Sequence, residues 1–205
     1  MSKVFFDVGI SFDGFMAGEN RGPDNPIGDN GTTIHEWMFK QHSFWKYHGK
    51  DQGTKEGISN QLVEETASRI GANIMGKRMF EEGAKHWPED LFKTPVYVLT
   101  HEVREPWIQK GSTTFYFIND GIYSALEKAK ASCKGKDIRI SGGVNAIQQY
   151  LNAGLVDEFW IHIAPVTLGK GIRLLNNLDR EKVNVEIAEA FHAPDVTHIK
   201  YVVKK

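Results

Sequence analysis

The sequence predicts an α/β protein: a mixed, mostly parallel sheet flanked by helices, with an antiparallel strand pair closing the chain. Three observations carry this. Apolar runs rich in β-branched and aromatic residues (4–10, 72–75, 95–100, 113–118) alternate with segments of helical period, as strands covered by helices on both faces do. These runs open into glycine-bearing or polar turns. Residues 183–190 and 197–203 each alternate with period two and follow one another closely, like a hairpin. A length of 205 residues suits one domain spanning 1–205.

Residues 4–10 (VFFDVGI) are almost wholly apolar and read as a central strand. Asp13-Gly14 then offers a hairpin turn, with Phe15, Met16 and Ala17 starting the return. Residues 18–31 hold glycines, Pro23, Pro26 and several Asp and Asn, so they form a long loop of the kind that serves function. Helical period begins near Thr33, with Ile34, Trp37 and Met38 apolar, and residues 50–57 are polar and exposed. Ser59 is placed to cap a helix over 60–70, which Gly71 stops. The strand 72–75 runs into Gly76, Lys77 and Arg78 and a short helix over 79–85. The strand 95–100 opens into 101–104, and the strand 113–118, a further central one, precedes a helix over 121–133.

The stretch 137–175 organises the rest. Ile138 and Ile140 begin a strand, and Ser141, Gly142 and Gly143 follow. A helix then places Ala146, Ile147, Tyr150 and Leu151 on one face, and Gly154 ends it. In the next strand Phe159, Ile161 and Ile163 alternate against Glu158, Trp160 and His162.

Composition removes several functions. The net charge of −1 gives no field to draw in nucleic acid or an anionic membrane. The one cysteine, Cys133, rules out an internal disulfide framework or a cysteine-rich metal site and reads as packing. The eight histidines lack HExxH or HxxxH spacing, so no metal is expected. No apolar run reaches the ~18 residues of a membrane helix, and a strand-like run follows Lys3 directly, so a cytoplasmic protein is expected.

The turns carry the chemistry. Two glycines between strand and helix let a ligand approach the backbone. The helix start behind them presents unpaired N–H groups and a positive dipole end, which suits a phosphate. The spacing is not GxGxxG, so the common dinucleotide fingerprint is absent. Gly76-Lys77-Arg78 repeats the strand–glycine–helix junction with two cations, and Thr100-His101 ends a further strand. Ligands of open α/β sheets sit beyond the carboxyl ends of the strands, so these turns predict a long groove for an extended anion.

Five segments, SFDGFMAG (11–18), ANIMGKRMFE (72–81), PVYVLT (95–100), ISGGVN (140–145) and APVTLGKG (164–171), resemble in their order the dihydrofolate reductase-like superfamily, closest to the riboflavin-biosynthesis reductase domain and its stand-alone relatives. The resemblance implies a sheet of about eight strands, NADPH as cofactor, and hydride transfer to a heterocyclic small molecule of pyrimidine or pteridine type. It assigns the diphosphate to Ser141, Gly142, Gly143, Val144 and Asn145, and further phosphate contacts to Gly76, Lys77 and Arg78. Thr100, His101 and Arg104 would flank the adenosine and its 2′-phosphate, and Ala17 and Gly18 the nicotinamide. Dihydrofolate reductase itself, a reductase of another heterocycle and a non-catalytic NADPH-binding protein are the alternatives.

The chain departs from that pattern at the proton donor. Relatives carry an acid on the helix before the IMG strand, where an ungapped count reaches Asn60 or Leu62. Glu64, one turn on, and Asp13 are the candidate catalytic acids, with Glu65, Asp29 and Glu36 behind them. Trp37, Phe39, Phe44, Trp45 and Tyr47 offer either a platform for a flat ring or core. The closing strand pair exposes one apolar face, with Val183, Val185 and Ile187 aligned, and the family commonly pairs there, so a homodimer is expected.

Overall fold

The computed structural model describes residues 2–204. In chain order the elements are β1 (Val4–Ser11), β2 (Phe15–Ala17), a 3₁₀ segment (Gly31–His35), α1 (Glu36–Phe39), α2 (His42–Tyr47), α3 (Ile58–Arg69), β3 (Ile70–Gly76) and α4 (Lys77–Gly83). Then come β4 (Pro95–Leu99), β5 (Trp107–Ile108), β6 (Thr114–Ile118), α5 (Ile122–Ser132), β7 (Asp137–Gly142) and α6 (Val144–Asn152). The chain closes with β8 (Glu158–Ala164), β9 (Ile172–Arg173), β10 (Val185–Ala193) and β11 (Val196–Val203).

One nine-stranded sheet runs β10-β11-β8-β1-β7-β3-β4-β6-β5. From β8 to β6 every pairing is parallel, and β11, β10 and β5 add antiparallel margins. The central place of β1 and the closing hairpin agree with the sequence. On one face Phe6, Val8, Ile138, Ile140 and Ile161 pack against Ile147, Tyr150 and Leu151 of α6 and Leu126 of α5. Each such side chain, fully buried, contributes about 1.5–3 kcal/mol. The other face carries α3, whose Arg69 guanidinium lies 4.1 Å from the Phe5 ring centre.

Several local expectations are corrected. Phe15–Ala17 does not return along β1; it pairs with β9, a strand too short to register as a period-two pattern. Residues 114–118 are not central, because β5 leaves β6 only one place from the margin. Ser59 does not cap α3: Gly57 occupies the N-cap, and the Ser59 hydroxyl is turned inward to His198 Nε2 at 2.9 Å. The helix ends at Arg69 before Gly71, whose bareness serves a close approach instead: a Cβ there would lie 2.2 Å from the Cys133 carbonyl oxygen. The second face of β8 is buried as well: the α1–α3 segment covers Trp160 and His162.

Candidate functional site

The carboxyl ends of β3, β4, β6 and β7 open onto one groove of about 620 Å³. Its walls bring together Gly76, Lys77 and Arg78 with Thr100 and His101, and opposite them Gly143, Val144 and Asn145. These residues come from separate strand ends, and parallel pairing in register places the ends side by side.

Gly143 is the N-cap of α6 with φ 77°, a left-handed conformation that costs a residue with a Cβ about 1–2 kcal/mol. No side chain caps that helix, so its first-turn N–H groups are free for an anion. Gly76 leads into α4 from an ordinary extended backbone, φ −78°, and that helix too has no side-chain cap.

The cations are less free than their sequence positions imply. Lys77 Nζ lies 2.5 Å from Glu102 and 3.5 Å from Glu81. The hydrogen bond to Glu102 raises the Lys77 amine above its ordinary value and lowers the Glu102 carboxyl. Arg78 donates from Nε to Glu82 at 2.8 Å. Arg21, unremarked in the sequence, reaches the groove from the long loop and donates to the other Glu82 oxygen at 2.6 Å. Arg173 also lines the groove; it donates to the Asp13 carbonyl at 2.6 Å and lies 4.2 Å from the centre of the Phe15 ring. No local motif marks these two arginines; only the folded loop and β9 bring them in.

Other expected residues stand outside the groove lining. Arg104 stacks over Phe117 and Phe80, 4.3 and 5.3 Å from their centres. Ser141 donates to Asn73 beneath the floor at 2.7 Å, and a Cβ on Gly142 would lie 3.0 Å from Met79 Sδ. Ala17 and Gly18 back the groove: a Cβ on the lining residue Gly171 would strike the Ala17 carbonyl oxygen at 2.0 Å.

Neither proposed acid faces the groove. Glu64 is 59% exposed on the outer side of α3, 3.7 Å from Lys46. Asp13 locks a turn, accepting from Ser11 Oγ at 2.6 Å, Gly169 N at 2.7 Å and Leu168 N at 3.1 Å. Those bonds, that of Ser11 foremost, hold its carboxyl at about 2. Asn60 accepts from the Ser43 N–H at 2.7 Å. Of the five aromatics, Trp37 is core, while Phe39, Phe44, Trp45 and Tyr47 form a half-buried cluster. Tyr47 donates to the Phe92 carbonyl at 2.9 Å.

One carboxylate went unremarked. Asp7, in the middle of β1, accepts from Thr66 Oγ1 at 2.8 Å and lies 3.4 Å from His162 and 3.7 Å from Arg139. Burial alone would raise it, but His162, Arg139 and Thr66 hold it well below its ordinary value. The signal was present: a carboxylate inside an apolar strand must find partners. Among the described residues no cluster of three or more His, Cys, Asp or Glu is placed to hold a metal.

A sheet of this order, with glycine turns facing across the carboxyl ends of its parallel strands, is the dihydrofolate reductase-like fold. The chain belongs to the RibD C-terminal domain family, whose model matches residues 2–199. It is 25% identical over 189 residues to protein YyaP of Bacillus subtilis (strain 168), covering 90% of this chain and 86% of that one. A crystal structure from Shewanella sp. PV-4, whose name places it in riboflavin biosynthesis, superposes with a TM-score of 0.66 at 20% identity over the full length of both chains. Dihydrofolate reductase from Enterococcus faecalis, complexed with NADP(H), superposes with a TM-score of 0.57 at 12% identity over 99% of this chain and 97% of that one. No helix among the described residues is long and apolar enough to cross a membrane.

Proposed function

We propose that the chain is an NADPH-dependent reductase of a pyrimidine- or pteridine-like heterocycle, most like 5-amino-6-(5-phosphoribosylamino)uracil reductase, and that it works as a single-domain cytoplasmic enzyme. The observation that carries this is the meeting of two uncapped helix starts, at Gly76 and Gly143, in one groove with cationic walls. Free N–H groups at helix starts suit the diphosphate of a dinucleotide, and the bare glycines leave room for it. The donor set therefore fits the cofactor that the family implies. Gly76, Gly143, Val144 and Asn145 would hold the diphosphate, and Lys77, Thr100 and His101 the adenosine end. When bound, the cofactor supplies a hydride; the protein's part is to hold it aligned and to keep a proton available on the substrate side.

One observation favours NADH as a second reading. Glu102, in the turn after β4, occupies Lys77, and an acid near the adenosine ribose is what a 2′-hydroxyl prefers. Titrating NADPH and NADH against the protein, followed by oxidation assays with pterins, folates and ribosylaminopyrimidines, tests the proposal. Saturable micromolar NADPH binding with turnover of one of these rings is the expected result. Binding of neither dinucleotide would overturn it, and binding without turnover would leave a nucleotide-binding protein.

A further inference from the structure

A buried polar chain crosses the α3-facing side of the sheet, apart from the groove. Ser59 Oγ lies 2.9 Å from His198 Nε2, His198 Nδ1 lies 2.7 Å from His162 Nδ1, and His162 Nε2 lies 3.4 Å from Asp7 Oδ1. A short contact between two Nδ1 atoms requires one to donate and the other to accept. Asp7 is an ionised acceptor, so His162 carries a proton on Nε2. With both rings neutral His162 Nδ1 then accepts from His198 Nδ1–H, which leaves His198 Nε2 to accept from the Ser59 hydroxyl. The assignment follows from satisfying every partner. Every donor in the chain then points from Ser59 toward Asp7.

The middle of this chain is sealed and its ends are not. His162 is 2% exposed and His198 0%, and the Trp37 ring covers both, 4.9 and 5.0 Å away. At one end Ser59 lines a separate cavity of about 180 Å³, whose rim carries exposed Lys55 and Glu56. At the other, the Asp7 side chain keeps 17% exposure although its strand is central. Beside it stand Arg139, whose buried Nε has no acceptor, and His35, which packs against Gly9.

We infer that Ser59, His198, His162 and Asp7 form a proton relay that carries solvent protons from the Ser59 cavity to the face of β1, where Asp7 takes the part of the missing helix acid. Its use in catalysis rests on the reductase reading; its existence does not. In one passage the ionised Asp7 first takes the Nε2 proton of His162 and then hands it to the substrate's basic ring nitrogen. His162 Nδ1 takes the Nδ1 proton of His198, His198 Nε2 takes the Ser59 hydroxyl proton, and Ser59 takes one from cavity water. The net transfer is one proton, with the hydride supplied by a reduced nicotinamide dinucleotide. Re-equilibration of the two imidazole tautomers and rotation of the Ser59 hydroxyl then reset the chain. Burial pushes His198 down to about 3 and His35 to about 4, so neither ring stores the proton at neutral pH.

Long-range ¹H–¹⁵N spectra of the imidazoles and the solvent exchange rate of the shared ring proton test this in the free protein. The expected result is one proton between the two Nδ1 atoms, with exchange slowed at least about tenfold in Ser59→Ala. The control Thr66→Val removes an Asp7 partner that lies outside the chain and leaves exchange within about twofold of wild type. Unchanged exchange in folded Ser59→Ala, or a His198 Nδ1 that carries no shared proton, would overturn the relay. If Ser59→Ala does not fold, His198→Gln takes its place: retained rapid exchange of His162 Nε2–H would then overturn it. Dinucleotide titration of the wild-type protein separates this from the reductase reading, which fails if nothing binds even when the relay exchanges as expected.

Discussion

Gly76 and Gly143 meet backbone to backbone: a Cβ built on Gly143 would lie 3.4 Å from the Gly76 Cα. Two strand ends are thereby held close enough for one diphosphate to reach both helix starts. A Cβ on Gly76 meets only ordinary contacts, 3.7 Å from Ala146 Cβ, and the backbone φ of −78° accepts any residue. Gly76→Ala is therefore expected to fold with stability changed by less than about 1 kcal/mol, yet to bind dinucleotide at least about tenfold more weakly. Calorimetry and thermal melts on one sample read both; unchanged affinity would move the phosphate elsewhere.

On the proposed reductase reading, cofactor choice turns on Lys77 and Glu102. Glu102→Gln frees the ammonium for a 2′-phosphate. The expected outcome is a several-fold rise in NADPH affinity with NADH affinity unchanged or lowered, about 1 kcal/mol in difference. If NADPH is indifferent to the substitution, the 2′-phosphate does not lie at this turn.

Glu64→Gln is expected to leave dinucleotide affinity and the melting temperature within error. An exposed pair such as Glu64–Lys46 contributes about 0–1 kcal/mol. A large loss of turnover in this variant would return the catalytic role to Glu64.

Acid sensitivity should centre on Glu158. It is buried and held by Lys3 and by Arg69, whose Nη2 lies 2.8 Å away. Burial opposes its ionisation, but those partners lower it below the ordinary 4.5. A carboxyl depressed in the folded state stabilises above its unfolded value and loses that contribution as pH falls through the folded one. Stability should therefore decline below about pH 4.5. Arg69→Ala leaves Glu158 with Lys3 as its remaining ion-pair partner, costs about 1.5–3 kcal/mol at neutral pH, and moves the acid midpoint upward. Urea melts at several pH values would show the shift, and a pH-independent loss would contradict it.

The homodimer expectation takes a sharper form. Of the closing pair only β10 is marginal, because β11 lies between it and β8. Ile187 on β10 is 63% exposed, beside a largely apolar cavity of about 290 Å³ lined by Leu175, Val183, Val185 and Tyr201. Light scattering should find twice the 23.2 kDa chain mass, and Ile187→Lys should halve it. A 23.2 kDa species in the unsubstituted protein would rule the dimer out.

The strands and their glycine turns were readable because burial on both faces leaves continuous apolar runs and because the left-handed backbone before α6 favours glycine. The groove was readable to the same extent, as the meeting of Gly76, Thr100 and Gly143 shows. Arg21 and Arg173 were not, since each arrives from a loop or short strand without period. The burial of His162 was hidden because alternation in β8 looks the same whether the second face meets water or a covering helix. Ser59 misled for a related reason: a serine near a helix start suits a cap equally well as an inward hydrogen bond.

The placement of β1 has a consequence for how the chain acquires its shape. The N–H of Val4 donates to Asp157, 153 residues further on, and every strand beside β1 is drawn from β7 or β8. Contacts of such span are closed only after a large loss of chain entropy, which slows folding. As the polypeptide emerges from the ribosome, β1 is made before both of its neighbours and must stay unpaired until β7 and β8 have followed. The Asp7 carboxylate interrupts that segment's apolar run, and a charge so placed disfavours premature strand association.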